Sequence, residues 1–302
     1  MEPVLFSVLI ANYNNGRYLQ EAIDSVLAQT YKNWEIVLVD DKSTDNSLEI
    51  YEKYKTDSRF HIYYNDVNKG CGYTKRRCAE LSRGDLFGFL DPDDKIAPEA
   101  IERMVAEYAN RQDCSIVYSS TYKWNDDTDE LVVHDRVGAI DPNDDYLIST
   151  KKSIFHFAVI KKSFYDMTEG INPALRTGVD LDLYLKLEEV GKVYYVDIPL
   201  YYYRQNNPNS ISIGKNCDEA VLWVNQSSTA LNAYVRRIRT KNPLLGKNRS
   251  RYRDGMRWQM RVFKKNSGKL SLQLMRYFYW YMVGFGCSCK SLNHIRKILM
   301  ER

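Results

Sequence analysis

The sequence is short of paired cysteines, of leader-like segments and of long apolar runs. Its six cysteines lie scattered at positions 71, 78, 114, 217, 287 and 289. No two have the Cys-x-x-Cys spacing of a zinc or redox site. That spacing argues against a zinc module and predicts free, mostly buried thiols in a reducing compartment. Glu2 and Pro3 lead straight into a strand-like run, without the basic, apolar and small-residue order of a leader. The expected location is therefore cytoplasmic, including the inner face of a membrane. The most apolar stretch, Tyr277 to Phe285, is nine residues long, and a spanning helix needs about 20. No recognised nucleic-acid-binding motif occurs, so nucleic acid is not an expected partner.

What is present is the composition of a folded chain. Of 302 residues, 44% are apolar and 27% charged, enough for one large domain or two smaller ones. The net charge of +4 is unevenly spread: residues 215–302 carry +15 and residues 1–214 carry −11. An acidic body followed by a basic region is a statement about partners. Tyrosine is plentiful, at 24 residues, which suits sugar and base contacts as well as half-buried positions.

The first half alternates strand-like and helix-like patterns. Leu5–Ile10 and Ile36–Val39 are continuous apolar runs, the mark of strands covered on both faces. Tyr18, Leu19, Ala22, Ile23, Val26 and Leu27 recur at helical spacing. Helices are expected over 45–55, 72–82 and 99–110, and strands over 60–65, 86–90 and 115–119. Such alternation implies an α/β fold with a mostly parallel sheet flanked by helices. Asn125–Asp129 reads as a hairpin turn. The segment 179–190 fits both periods, and the Gly191 stop favours a helix. Two strands are expected around Pro199, at 193–196 and 200–203. After Gly214 the chain becomes helical and basic. The expected division is 1–214 for a nucleotide-binding and catalytic domain, and 215–302 for a basic helical region.

Ligands of such sheets sit beyond the carboxyl ends of the strands. Three polar clusters fall there: Asn12-Tyr13-Asn14-Asn15, Asp40-Asp41 and Asp91-Pro92-Asp93-Asp94. In the last, an apolar strand runs directly into three carboxylates. Like charges this close repel, and their burial is costly unless a cation neutralises them. Hard divalent cations such as Mg²⁺ and Mn²⁺ take carboxylate oxygens together with water and phosphate. Pro92 holds Asp91 extended, which puts Asp91 and Asp93 on one side of the chain.

Five separated segments, in order, resemble family-2 glycosyltransferases of the GT-A fold. They are Ser7 to Ser47, the helix flanked by Asn68-Lys69-Gly70 and Ser82-Arg83-Gly84-Asp85, the Asp91-Pro92-Asp93 triplet, Gly178 to Leu183 and Pro199 to Arg204. The resemblance covers about 4–214. It implies inverting transfer of a sugar from a nucleoside-diphosphate donor, a UDP-sugar, to a saccharide or lipid-linked saccharide acceptor, with Mn²⁺ or Mg²⁺. It places Tyr13 and Asp40 at the nucleobase, Ala11 among the nucleotide-binding residues, and Lys75 and Arg204 at the diphosphate. Asp91 falls at the ribose or metal, Asp93 on the metal, and Asp180 in the role of general base. Asp41 is expected to be a structural cap.

Several departures and rival readings stand beside this. The family's usual Glu-Asp is here Val179-Asp180, which motivates a sugar-nucleotide-binding protein without transfer activity. Thr177 and Asp180 also form a helix-capping pattern. Lys75 keeps a positive charge without a guanidinium fork. Arg204 has a second reading as the partner of a body carboxylate, and His156 reads as a core histidine. The basic region has two physical destinations, an anionic membrane surface or the acidic body itself.

Overall fold

The computed structural model describes residues 4–149, 151–208, 210, 219–267 and 272–286. In chain order its elements are β1 (Phe6–Asn12), α1 (Gly16–Leu27), β2 (Trp34–Asp40), α2 (Ser47–Glu52), β3 (Phe60–Tyr64), α3 (Cys71–Leu81), β4 (Leu86–Phe89), β5 (Lys95–Ile96) and α4 (Ala100–Ala109). There follow β6 (Cys114–Asn125), β7 (Glu130–Val133), β8 (Ala158–Lys161), α5 (Lys162–Tyr165), α6 (Val179–Glu188) and β9 (Lys192–Arg204). The chain then turns helical: α7 (Glu219–Arg239), α8 (Pro243–Lys247), α9 (Arg249–Ser267) and α10 (Leu272–Phe285).

One nine-stranded sheet organises the body, in the order β3-β2-β1-β4-β8-β6-β9-β5, with β7 paired to β6. The β3-β2-β1-β4 half is parallel throughout, as the alternation implies. Beyond β4 the sheet is mixed: β8 is antiparallel to both β4 and β6, while β6 and β9 are parallel. The short strand β8 lies in a stretch without strand periodicity, and it is what joins the two halves.

Burial follows the residue pattern. In β1, Phe6, Val8 and Ile10 face α1 and α4, together with Ile36 and Leu38 of β2. Leu9, Val37 and Val39 point the other way, toward α3 and α6. This is strand alternation applied to a sheet covered on both faces. Each fully buried aliphatic side chain here contributes about 1.5–3 kcal/mol. Gly88 interrupts β4 for a packing reason: a Cβ there would stand 2.8 Å from the Phe157 ring. Cys71, Cys78 and Cys114 are free thiols, and burial pushes those of Cys71 and Cys78 up to about 12. Cys217, Cys287 and Cys289 lie outside the described residues.

The C-terminal helices build a core of their own. Leu231, Tyr234, Val235 and Ile238 of α7 pack with Tyr252, Met256, Met260 and Phe263 of α9 and with Leu274, Tyr277 and Tyr281 of α10. Ile148 from the body joins this cluster. None of the described helices is long and apolar enough to cross a membrane.

Candidate active site

The site forms where the carboxyl ends of β1, β2 and β4 lie side by side. In the β1–β2 register Asn12 stands opposite Asp40, and Leu90 N donates to Leu9 O across β4. The loops after β1 and β2 are tied together. Asn12 Nδ2 donates to Ser47 Oγ (2.9 Å) and Tyr51 OH (2.7 Å), and Gly16 N donates to Asp45 Oδ2 (2.7 Å). Ala11 ends half-buried beside Val39. Tyr13 projects beyond it and is 46% exposed, which leaves room for a planar group against it.

Asp40 departs from expectation. It is 2% exposed and turned inward, accepting from Tyr51 OH (2.7 Å) and Ser43 N (2.9 Å). Asp41, one residue on, points to the opposite side of the sheet, as successive strand residues do. It accepts from Asn65 Nδ2 (2.8 Å), Lys69 N (2.8 Å) and Gly70 N (2.7 Å). Both carboxylates therefore hold loops, Asp40 that of α2 and Asp41 the entrance to α3.

The centre of the site is Lys75. Its side chain is 5% exposed, and Nζ lies 3.0 Å from Asp91 Oδ1 and 3.0 Å from Asp180 Oδ1. Residues far apart in sequence are thus gathered around one ammonium. Burial opposes the charge, but Asp180 and Asp91 more than offset it and raise the Lys75 pKa well above the ordinary lysine range. Burial would likewise raise Asp91, yet Lys75 and His156 hold its carboxyl below the usual range. Lys75 is accordingly enclosed between two carboxylates rather than open toward a diphosphate. His156 is buried, as a core histidine should be, at 6% exposure. Yet its Nε2 lies 3.5 Å from Asp91 Oδ2 and 3.8 Å from Asp180 Oδ2, its ring stacks on Tyr201, and its Nδ1 is buried with no partner. Nothing in Ile154-Phe155-His156-Phe157 signals that placement.

Asp180 sits in the first turn of α6. The N-cap is Gly178, with φ +68° and no side-chain cap hydrogen bond, so the helix start does not use Asp180 as a cap. About a third of the Asp180 side chain is exposed. Val179 beside it is buried in the core with Leu183. The side chain at 179 thus points into that core.

The acidic loop after β4 divides its work. Asp94 is buried and accepts from Tyr201 OH (2.8 Å) and Arg204 N (2.8 Å). Burial, with Asp93 and Asp91, pushes its carboxyl well above the ordinary range. Asp93 Oδ2 accepts from Asn207 Nδ2 (2.6 Å), and burial and Asp91 raise its pKa too. Arg204 is 1% exposed. Its Nε donates to Asp93 O (2.6 Å), its Nη groups pair with Glu21 and Asp126, and Tyr18 and Trp124 flank it at 4.4 and 4.2 Å. This is the body-carboxylate reading of Arg204: it braces the acidic loop from within. Glu21, Asp126 and Asn207 carry no motif, and only the fold brings them here.

Among the described residues no cluster of three or more His, Cys, Asp or Glu is preassembled around a metal position. The oxygens present nonetheless suit a hard cation. Asp93 is a carboxylate in surroundings that disfavour its charge, and next to its partner Asn207 the Asn206 Oδ1 is buried without a partner. One or two protein oxygens, with water and diphosphate completing the shell, is how Mg²⁺ is commonly held.

Comparison with known proteins bears on the family and the fold. Chondroitin synthase of Escherichia coli is 30% identical over 211 residues, covering 70% of this chain and 30% of its own length. Hyaluronan synthase of Pasteurella multocida is 30% identical over 213 residues, covering 70% and 21%. The chain thus spans less than a third of either relative. Among solved structures, S. aureus TarS 1–349 in complex with UDP-GlcNAc aligns with a TM-score of 0.60 at 16% identity, over 98% of this chain and 93% of that one. The mannosyltransferase PcManGT from Pyrobaculum calidifontis, in complex with GDP-Man and Mn²⁺, aligns with a TM-score of 0.59 at 13% identity, over 98% and 87%. These likenesses bear out the GT-A fold. The profile described as Glycosyl transferase family 2 matches residues 7–168, more than half of the sequence, and the chain belongs to that family of glycosyltransferases.

Proposed function

We propose that this glycosyltransferase moves a sugar, with inversion, from a UDP-sugar to an acceptor hydroxyl on a saccharide or lipid-linked saccharide in polysaccharide or glycoconjugate synthesis. The observation that carries the reading is the meeting of Asp91 and Asp180 around Lys75 at the carboxyl edge of the sheet. The names of the synthase relatives and the UDP-GlcNAc in the TarS structure support the donor and product classes. Tyr13 offers its exposed ring to the base, with the Ala11 backbone beside it. Asp91 and Asp93 face the ribose and the diphosphate. A divalent cation, Mn²⁺ or Mg²⁺, held by Asp93 with Asp91 adjacent, would supply neutralising charge to the departing diphosphate. Asp180 takes the acceptor proton as the acceptor oxygen bonds to the anomeric carbon, and the electron pair of the breaking bond leaves with the diphosphate. Lys75, 3.0 Å from its Oδ1, orients Asp180 for that transfer. The binding-only reading rests on Val179, which faces the core instead.

Asp180→Asn should preserve UDP binding by calorimetry and lower transfer by about 10²–10⁴-fold. Asp93→Ala should lose both transfer and cation-dependent UDP binding. Full turnover by Asp180→Asn would place the base elsewhere. Cation-independent turnover by Asp93→Ala would remove the metal from the reaction.

The finer assignment of partners includes an anionic lipid surface. On α10, Met275, Tyr279 and Val283 repeat at intervals of four and are exposed, next to Arg276. On α9, exposed Trp258 is followed by exposed Arg261 and Lys265. Aromatic rings beside cations suit the headgroup layer. We also propose that 1–214 and 215–302 are distinct units of the chain, since the second has its own core.

A further inference from the structure

Asp180 depends on the entry turn of α6, and that turn has no cap of its own, because Gly178 supplies no side chain. Besides Lys75, which holds the Asp180 side chain, a backbone-side tether comes from α7. Asn225 Nδ2 donates to Thr177 Oγ1 at 2.8 Å. One turn along α7, Thr229 Oγ1 lies 3.8 Å from where a Cβ on Gly178 would stand. At the far end of α6, Arg236 grips Glu189 through Nε (2.5 Å) and Nη2 (2.8 Å). Arg237, fully buried, binds Glu188 (2.7 Å), Glu189 (3.1 Å) and Asp145 (3.1 Å). The pairs advance together, from 225 with 177 to 237 with 189. At 1.5 Å per residue, each span is about 18 Å of helix axis. The two helices therefore run side by side in the same direction, fastened at both ends.

We propose that α7 is a splint for the helix that bears the base, and that the Asn225–Thr177 hydrogen bond sets the position of Asp180 opposite Asp91. The inference rests on the reading of Asp180 as the base. Arg236 and Arg237 fix the rear of α6 to the C-terminal core, and Asn225 fixes its front. Thr177 and Asn225 are positioning residues: they act through Asp180 and touch no reacting atom. The C-terminal helices then serve the chemistry and do more than extend the chain.

The test uses the full chain with Thr177→Val, Thr177→Ser, Asn225→Ala and the double variant Thr177→Val with Asn225→Ala. Hydrogen–deuterium exchange is followed at residues 179–183, UDP affinity in the presence of Mn²⁺ by calorimetry, and UDP release from a panel of UDP-sugars by rate. Thr177→Val and Asn225→Ala should each speed exchange in the first turn of α6 by roughly tenfold. They should slow UDP release by roughly ten- to a hundredfold and leave UDP affinity and thermal midpoint unchanged. Thr177→Ser, which keeps the accepting hydroxyl, should behave as wild type. The double variant should be no worse than the worse single one, because both remove the same bond. Unchanged exchange at 179–183, additive losses, failure of Thr177→Ser to rescue, or a general fall in thermal midpoint would each overturn the splint. If wild type releases UDP from no donor even with a saccharide acceptor panel added, the UDP-sugar reading fails, and the exchange measurement still decides the splint.

Discussion

Lys75 has two carboxylates within 3.0 Å and almost no exposed surface. Removing its charge leaves Asp91 and Asp180 facing each other without a cation. Breaking a buried pair costs about 3–5 kcal/mol, and the cost here is reduced to about 2 kcal/mol because each carboxylate is about one-third exposed. Lys75→Met should therefore lower the calorimetric thermal midpoint by about 5 °C and slow transfer. Asp91→Asn added to that variant should recover part of the lost stability, since it removes the like-charge contact; no recovery would mean that the pair does not act through charge. Much of this centre is legible in the chain. An apolar strand ending in Asp91-Pro92-Asp93 identifies the loop, and the family resemblance points to Asp180 as its counterpart. Asp40 and Arg204 are less legible. A carboxylate at the end of a strand looks the same in sequence whether it faces a ligand or a tyrosine, and only the packing of Tyr51 decides. Arg204 is drawn inward by Glu21 and Asp126, neither of which has a sequence signal. His156 lies in an ordinary apolar run and reaches the site because β8 carries it there.

At the level of elements, α6 shows how a pattern misleads and then resolves. Leu181, Leu183, Leu185 and Leu187 alternate as a strand would. The segment is a helix with buried residues nearly all round, packed between the sheet and α7. The two strands expected around Pro199 are one, β9, whose register against β6 shifts between Ser119 and Thr121. Proline offers no N–H to the ladder, and the irregularity lets the strand continue past it. The rear of α6 carries a charge imbalance: Asp145, Glu188 and Glu189 face Arg236 and Arg237. Burial, only partly offset by Arg237 and reinforced by Asp145, pushes Glu188 up to about 7. Its folded pKa stands above its unfolded one, so its stabilising contribution is complete below about 4.5 and is lost as pH rises through 7. Glu188→Gln should flatten the decline in thermal midpoint between about pH 5 and 8 and be the more stable form at the alkaline end. An unaltered profile would show that the carboxylate is ionised throughout.

The whole molecule separates charge as well as structure. The parallel half of the sheet follows from strand–helix alternation; the mixed half does not, because β8 and β9 pair over long sequence distances that local pattern leaves open. The basic region is expected to be helical, and its described helices α7–α10 agree. The proposed footing on lipid can be measured. The full chain should co-sediment with vesicles containing phosphatidylglycerol and much less with phosphatidylcholine alone, each cation near the lipid adding about 1 kcal/mol. Trp258→Ser with Tyr279→Ser should reduce the retained fraction, and equal retention on neutral vesicles would rule out an electrostatic footing. The imbalance of −11 in 1–214 and +15 in 215–302 has one more consequence. Near a negatively charged surface, stretches of opposite net charge feel opposite forces, a torque that favours the basic one. The distance at which that torque begins shrinks from about 30 Å in 0.01 M salt to about 8 Å at physiological strength, so dilute buffers will exaggerate how well it aims.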